Sequence, residues 1–112
     1  MPVPDLDLHR IRRFAESRVP MQVRNEVRVE VTVRGNSVTV VERRPPWNDP
    51  LSPDWTTFPI TQLRWDPKRK TWSLWWRDRN ARWHTYSQTQ PTPDVTLLLA
   101  EIDTDPTCIF WG

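Results

Sequence analysis

The sequence predicts an α+β domain: an antiparallel sheet of about five strands, a Val hairpin plus a Trp-rich three-stranded meander, flanked by an N-terminal and a C-terminal helix. Three observations carry that prediction. Val27, Val29, Val31 and Val33 alternate with Arg28, Glu30, Thr32 and Arg34, the period-two pattern of a half-buried strand. Eight Trp and twelve Pro stand against two Gly in 112 residues, so indoles must supply much of the core and many connections are stiff. Apolar residues recur at helical spacing near both ends of the chain. A chain of this length builds one domain, residues 1–112, around one core.

Asp5 or Asp7 is suited to cap a first helix that runs to about Val19, with Leu8, Ile11, Ala15 and Val19 on one stripe, Phe14 beside it and Pro20 as the stop. The Val strand follows. Gly35-Asn36 turns the chain, since both residues tolerate positive φ. If Arg34 faces Ser37, then Val33 faces Val38 and Val31 faces Val40. The same register places Glu42 opposite Val29 on the inward face. Pro45 to Asp54 is too Pro-rich for an interior strand and too aromatic for a simple linker, so Trp47 and Trp55 are expected to fold back onto the body.

Phe58 to Trp65 reads as the third strand, with Pro59 near its start or on an edge, and Asp66 to Lys70 as a turn. Trp72 to Arg77 is the fourth strand, Asp78-Arg79-Asn80 a turn, and Ala81 to Tyr86 the fifth strand. Thr92-Pro93-Asp94 opens a helix with a capping hydroxyl and Pro at its first position, and Val95, Leu98, Leu99 and Ile102 form its stripe up to Asp105-Pro106. A tail, Thr107 to Gly112, ends the chain. The strands form one twisted sheet with at least one helix on the face shared by the Val and Trp rows, a small partly closed barrel being the alternative.

Register divides the meander into two faces. With Arg79-Asn80 as a two-residue loop, Trp76 faces Trp83, Trp75 faces His84 and Leu74 faces Thr85. With Trp65 facing Trp72, Leu63 faces Leu74. One face then holds Leu63, Trp65, Trp72, Leu74, Trp76, Trp83 and Thr85, an apolar set that belongs in the core. The other holds Gln62, Arg64, Ser73, Trp75, Arg77, Arg82, His84 and Tyr86. A slip of one residue exchanges the sets. Three readings of the second face compete: Arg stems and rings packed on each other under a helix or the tail, a protein-recognition surface rich in the residues of interface hot spots, and a platform for single-stranded nucleic acid extended by Lys68-Arg69-Lys70.

Charge is uneven. Thr61 to Tyr86 holds seven Lys or Arg against two Asp, whereas Ser87 to Gly112 holds four acids and no Lys or Arg. Cys108 is the single cysteine, so no internal disulfide forms, which fits a reducing compartment. No apolar run reaches the ~20 residues of a membrane span, and Met1 to Asp7 lacks the apolar stretch of a secretory signal. A cytoplasmic location is expected, without membrane contact.

Glu42-Arg43-Arg44-Pro45-Pro46-Trp47, Trp55-Thr56 with Phe58-Pro59-Ile60, Trp75 to Asn80, and Glu101 to Thr107 with Ile109-Phe110-Trp111-Gly112 occur in that order. Together they resemble domain of unknown function 3024, a family of short bacterial proteins common in actinobacteria. The resemblance implies a bacterial single-domain protein ending at Gly112, and it carries over no functional residue.

Catalytic chemistry finds little footing. His9 and His84 have no local partner at metal spacing, no Cys pair exists, and Gly35 and Gly112 cannot make a Gly-rich phosphate loop. No metal or cofactor is expected. Cys108, in an apolar tail, is expected to be buried and inert. Glu42 is the weak catalytic candidate, because an inward carboxylate would titrate abnormally and could act as a general acid or base. The expected function is a non-catalytic binding module. Its binding residues are Arg64, Trp75, Arg77, Arg82, His84 and Tyr86, with a protein partner ahead of single-stranded nucleic acid and a small enzyme around Glu42 last.

Overall fold

A computed structural model describes residues 3–46 and 54–111. Helix α1 (Asp5–Ser17) leads through a 3-10 turn (Met21–Val23) into strands β1 (Arg28–Arg34), β2 (Ser37–Arg44), β3 (Thr56–Asp66), β4 (Thr71–Arg77) and β5 (Trp83–Thr85), and helix α2 (Val95–Thr104) precedes the tail. The strands pair antiparallel in chain order, β1-β2-β3-β4-β5, with β1 and β5 left as edges. Among the described residues the sheet is therefore open, and they do not form the partly closed barrel.

The Val hairpin has the expected register: Val33 opposite Val38, Val31 opposite Val40 and Val29 opposite Glu42. Trp65 opposite Trp72 and Leu63 opposite Leu74 also hold. What joins hairpin to meander is a bulge. Val40 pairs with Thr61 but Val41 pairs with Pro59, so Ile60 is the extra residue of β3. Pairing of β3 with β4 stops at Thr61, so Pro59, which has no N–H to give, needs no partner on that side.

Both helices lie on one face of the sheet. Leu8, Ile11 and Ala15 of α1 and Val95, Leu98, Leu99 and Ile102 of α2 form a single core with Val38, Val40, Leu63, Trp72 and Leu74. Trp72 is fully buried, and its indole N–H donates to Asp7 Oδ2 at 2.9 Å, fastening α1 to β4. The α1 cap differs from expectation. Pro4 occupies the N-cap without a side-chain bond, and Asp5 and Asp7 fall in the first turn, where the helix dipole favours a negative charge. In α2 the cap is Asp94, whose Oδ1 accepts the Thr96 N–H at 3.0 Å, and not Thr92. Thr92 instead exchanges two backbone bonds with Trp72, which pulls the approach to α2 against the start of β4.

The tail docks on the helical side. Asp105 closes α2 in the left-handed region, and its carboxylate accepts the N–H groups of Ile109 and Phe110 (2.9 and 3.1 Å, Oδ1) and Trp111 (2.8 Å, Oδ2). Phe110 then packs on Tyr86 with ring centroids 5.1 Å apart, and the Trp111 indole donates to Ile102 O at 2.8 Å. Arg18, ion-paired to Asp103 at 2.9 Å, lies 4.2 Å from the centre of the Trp111 ring. Cys108 is exposed, contrary to expectation, because this clasp turns Phe110 inward and leaves the preceding tip outside.

Candidate functional site

The β4–β5 connection decides which side chains share a surface. It is a three-residue loop and not the two-residue turn the sequence suggested. Asp78 N–H donates to Arg82 O at 2.9 Å, Ala81 N–H to Asp78 O at 3.0 Å, and Ala81 takes the left-handed conformation (φ 65°). A turn followed by a left-handed residue is the usual form of this hairpin. Asp78 Oδ1 holds the loop by accepting the N–H groups of Asn80 (2.8 Å) and Arg82 (3.0 Å).

The extra residue moves the register by one. Trp75 pairs with Thr85, Trp76 with His84 and Arg77 with Trp83. Tyr86 is therefore buried in the core, its N–H donating to Leu74 O at 2.8 Å, and is not part of an exposed platform. His84 stacks on Trp76 at 4.7 Å on the helical side, with Nε2 2.6 Å from Asp78 Oδ2. That bond is the main cause of an Asp78 carboxyl held below its ordinary range, with the Arg82 and Asn80 N–H groups adding to it. Arg82 closes the loop opposite Asp78, outside the strand. Trp83 and Thr85, expected in the core, take the places vacated. Of the six predicted binding residues, the fold keeps Arg64, Trp75 and Arg77 on one face and removes Arg82, His84 and Tyr86.

That face, the side of the sheet away from both helices, is wider than the meander. The pairings bring residues of the Val hairpin beside it. One row across the strands is Thr32, Thr39, Gln62, Trp75 and Thr85. On one side of it runs the row Arg34, Ser37, Arg64 and Ser73. On the other side stand Arg77 with Trp83, and beyond them Arg28 beside Arg43. The face holds five arginines (Arg28, Arg34, Arg43, Arg64, Arg77) and two carboxylates (Glu30, Asp66). Both carboxylates are engaged: Glu30 with Arg43 at 3.4 Å, Asp66 with the N–H groups of Lys68 and Arg69.

Arg64 lies 3.8 Å from the centre of the Trp75 ring and donates to Gln62 Oε1 at 2.6 Å, while Gln62 donates in turn to Thr39 at 3.0 Å. Trp75 donates its indole N–H to Ser73 Oγ at 2.9 Å. Partial burial lowers the Arg64 pKa, yet a guanidinium stays protonated. Among the described residues no carboxylate lies within ion-pair distance of Arg28, Arg34, Arg64 or Arg77. Trp55 folds back as expected, with Arg28 4.5 Å and Arg43 5.9 Å from its ring centre. Trp47 lies outside the described residues.

The catalytic candidate is otherwise employed. Glu42 is partly exposed and accepts from Arg44 Nε at 2.7 Å, an ordinary ion pair along one strand. His9 is exposed on α1. Among the described residues no group of three or more His, Cys, Asp or Glu is placed to hold a metal ion, and no helix is long and apolar enough to cross a membrane. An open groove of about 330 Å³ lies between the end of α1 and β1, lined by Glu16, Val19, Arg24, Arg28, Val29 and Glu30, with two charges of each sign.

Arg28, Arg34, Arg43 and Trp83 were missed as members of the surface, as was the Asp78–His84 pair. The alternation of the Val strand already put its arginines on the non-core side. Joining that side to the meander required the β2–β3 bulge, which has no clear sequence signal.

Fold and surface together define a two-layer α+β domain with both helices behind an antiparallel sheet and an arginine- and indole-bearing face in front. The chain belongs to the family described as "Domain of unknown function (DUF3024)", which it matches over residues 1–112. No curated protein and no solved structure matches it.

Proposed function

We propose that the domain is a non-catalytic binding module whose front sheet face recognises an anionic macromolecule. The observation that carries the reading is a five-to-two excess of arginine over carboxylate on one face that neither helix nor the described tail covers. Isolated cations on a half-buried surface interact weakly with solvent-exposed partners. Clustered on one side, they create a potential that draws an opposite charge. The stacked Arg64–Trp75 pair adds a fixed flat element where guanidinium and ring support each other by about 0.5–1 kcal/mol.

The test separates this face from charge in general. Retention on a heparin matrix is compared for the wild type, for Arg34→Glu with Arg77→Glu, and for Arg12→Glu with Arg13→Glu on the exposed side of α1. The two double variants change net charge equally. Early elution of the sheet variant alone supports the reading. Equal loss in both shows that only net charge matters, and the reading fails.

A further inference from the structure

From the arrangement of rows on the front face we infer that its ligand is single-stranded nucleic acid, bound with bases over the Thr–Gln–Trp row and phosphates on the arginines that flank it. This inference rests on the binding reading above and names its ligand class.

The first reason is spacing. Alternate residues on one face of a strand are ~7 Å apart, so Arg34 and Arg64 stand one row from Trp75 on one side and Arg77 one row away on the other. Cations thus border a central strip on both sides instead of crowding it. The second reason is what fills the strip. Thr32, Thr39, Gln62, Thr85 and the adjoining Ser37 and Ser73 offer hydrogen-bond donors and acceptors, and Trp75 with the Arg64 guanidinium stacked on it offers a flat surface. Bases present polar edges and a π-face, and single strands are read by aromatic and Arg planes with a basic track for the backbone.

A protein interface of ordinary size has an apolar, well-packed centre. Here the centre is polar, and Val41, the aliphatic side chain of the face nearest to it, is itself buried. The carboxylates of an acidic polypeptide would engage the arginines but leave the flat Arg64–Trp75 stack unused. The third reason is counter-charge. Arg64 is partly desolvated against Trp75, bonds only to a neutral amide, and has no carboxylate within reach among the described residues, so its charge awaits a partner.

Fluorescence anisotropy of labelled oligothymidylate and oligouridylate of about 12 nucleotides tests the inference, with labelled polyglutamate of equal charge and a duplex as comparators. Single strands are expected to bind best. With about four phosphates neutralised, affinity should fall roughly 300-fold between about 25 and 200 mM salt. Trp75→Ala should weaken binding roughly tenfold to a hundredfold, and Trp75→Phe should restore most of it. Thermal melts by circular dichroism on the same variants verify that they are folded. Polyglutamate binding as tightly as the single strands, with no response to Trp75→Ala, makes the ligand an acidic protein and overturns the inference while leaving the anionic-face reading in place. A duplex preferred over single strands overturns it too. No binding of any of these polymers at low salt overturns both.

Discussion

Trp72 and Trp75 lie three residues apart on β4 and should answer the same substitution with losses of different size. Trp72 is fully buried between the sheet and α1, 5.2 Å from the Trp65 ring, with its N–H on Asp7. Replacing it by Ala removes a large packed side chain and leaves a cavity under two helices, a change that costs about 3–5 kcal/mol. Against a total stability of roughly 5–15 kcal/mol, this consumes about a fifth or more of what holds the domain together. The melting temperature should fall by on the order of 15 °C. Trp75 is partly buried on the front face, where the Arg64 guanidinium stacks on its ring and Ser73 Oγ accepts its N–H. Trp75→Ala forfeits that stack, the bond to Ser73 and the area the ring buries against the sheet, about 2–3 kcal/mol in all. Trp72→Phe isolates one part of the larger figure: most of the buried area stays, while the charge-assisted bond to Asp7 goes, at about 1.5–3 kcal/mol. Urea unfolding followed by far-ultraviolet circular dichroism measures all three without relying on indole emission, which the substitutions themselves alter. Equal costs for the two Ala variants, or a larger cost for Trp75, would mean that the faces are not divided as described, and the functional reading would go with them.

Two further outcomes concern the loop that sets the β5 register. Ala81 holds φ at 65°, a conformation that strains any residue with a Cβ. Ala81→Gly should therefore raise stability by about 0.5–1 kcal/mol in urea unfolding, the relief of strain exceeding the added freedom of the unfolded chain; a net loss would show that the left-handed turn is not strained. Asp78 titrates below its ordinary range, chiefly because of the His84 bond. The unfolded chain, near the unperturbed value of about 3.9, takes up the proton first as the medium is acidified. The stabilisation is thus complete above about pH 4 and is lost as pH falls through the lower folded value. The Asn80 and Arg82 amide resonances should follow that midpoint, and Asp78→Asn should abolish it; an unchanged titration in the variant would place the transition on another group.

The elements could be read from the chain because each rests on local periodicity. A Val at every second position makes a strand with one apolar side wherever that strand ends up, and Leu98, Leu99 and Ile102 make a helical stripe in the same way. Even the hairpin register, down to Val29 opposite Glu42, followed from the two residues Gly35-Asn36. The site was half legible for the same reason. Arg64, Trp75 and Arg77 alternate within strands whose inward partners, Leu63, Trp72 and Leu74, are plainly apolar.

What the sequence by itself determined, then, is the set of strands and helices, their order, and which side of β1 to β4 is greasy. Tertiary structure alone decided which strand sides became one surface. A single left-handed residue, Ala81, moved Tyr86 and His84 to the helical side and brought Trp83 forward, and a single bulge at Ile60 laid the arginines of the Val hairpin beside Trp75. Side-chain direction in a sheet has a period of two, so one residue gained or lost in a turn or bulge inverts everything beyond it, and such a residue costs too little locally to leave a mark in composition or spacing.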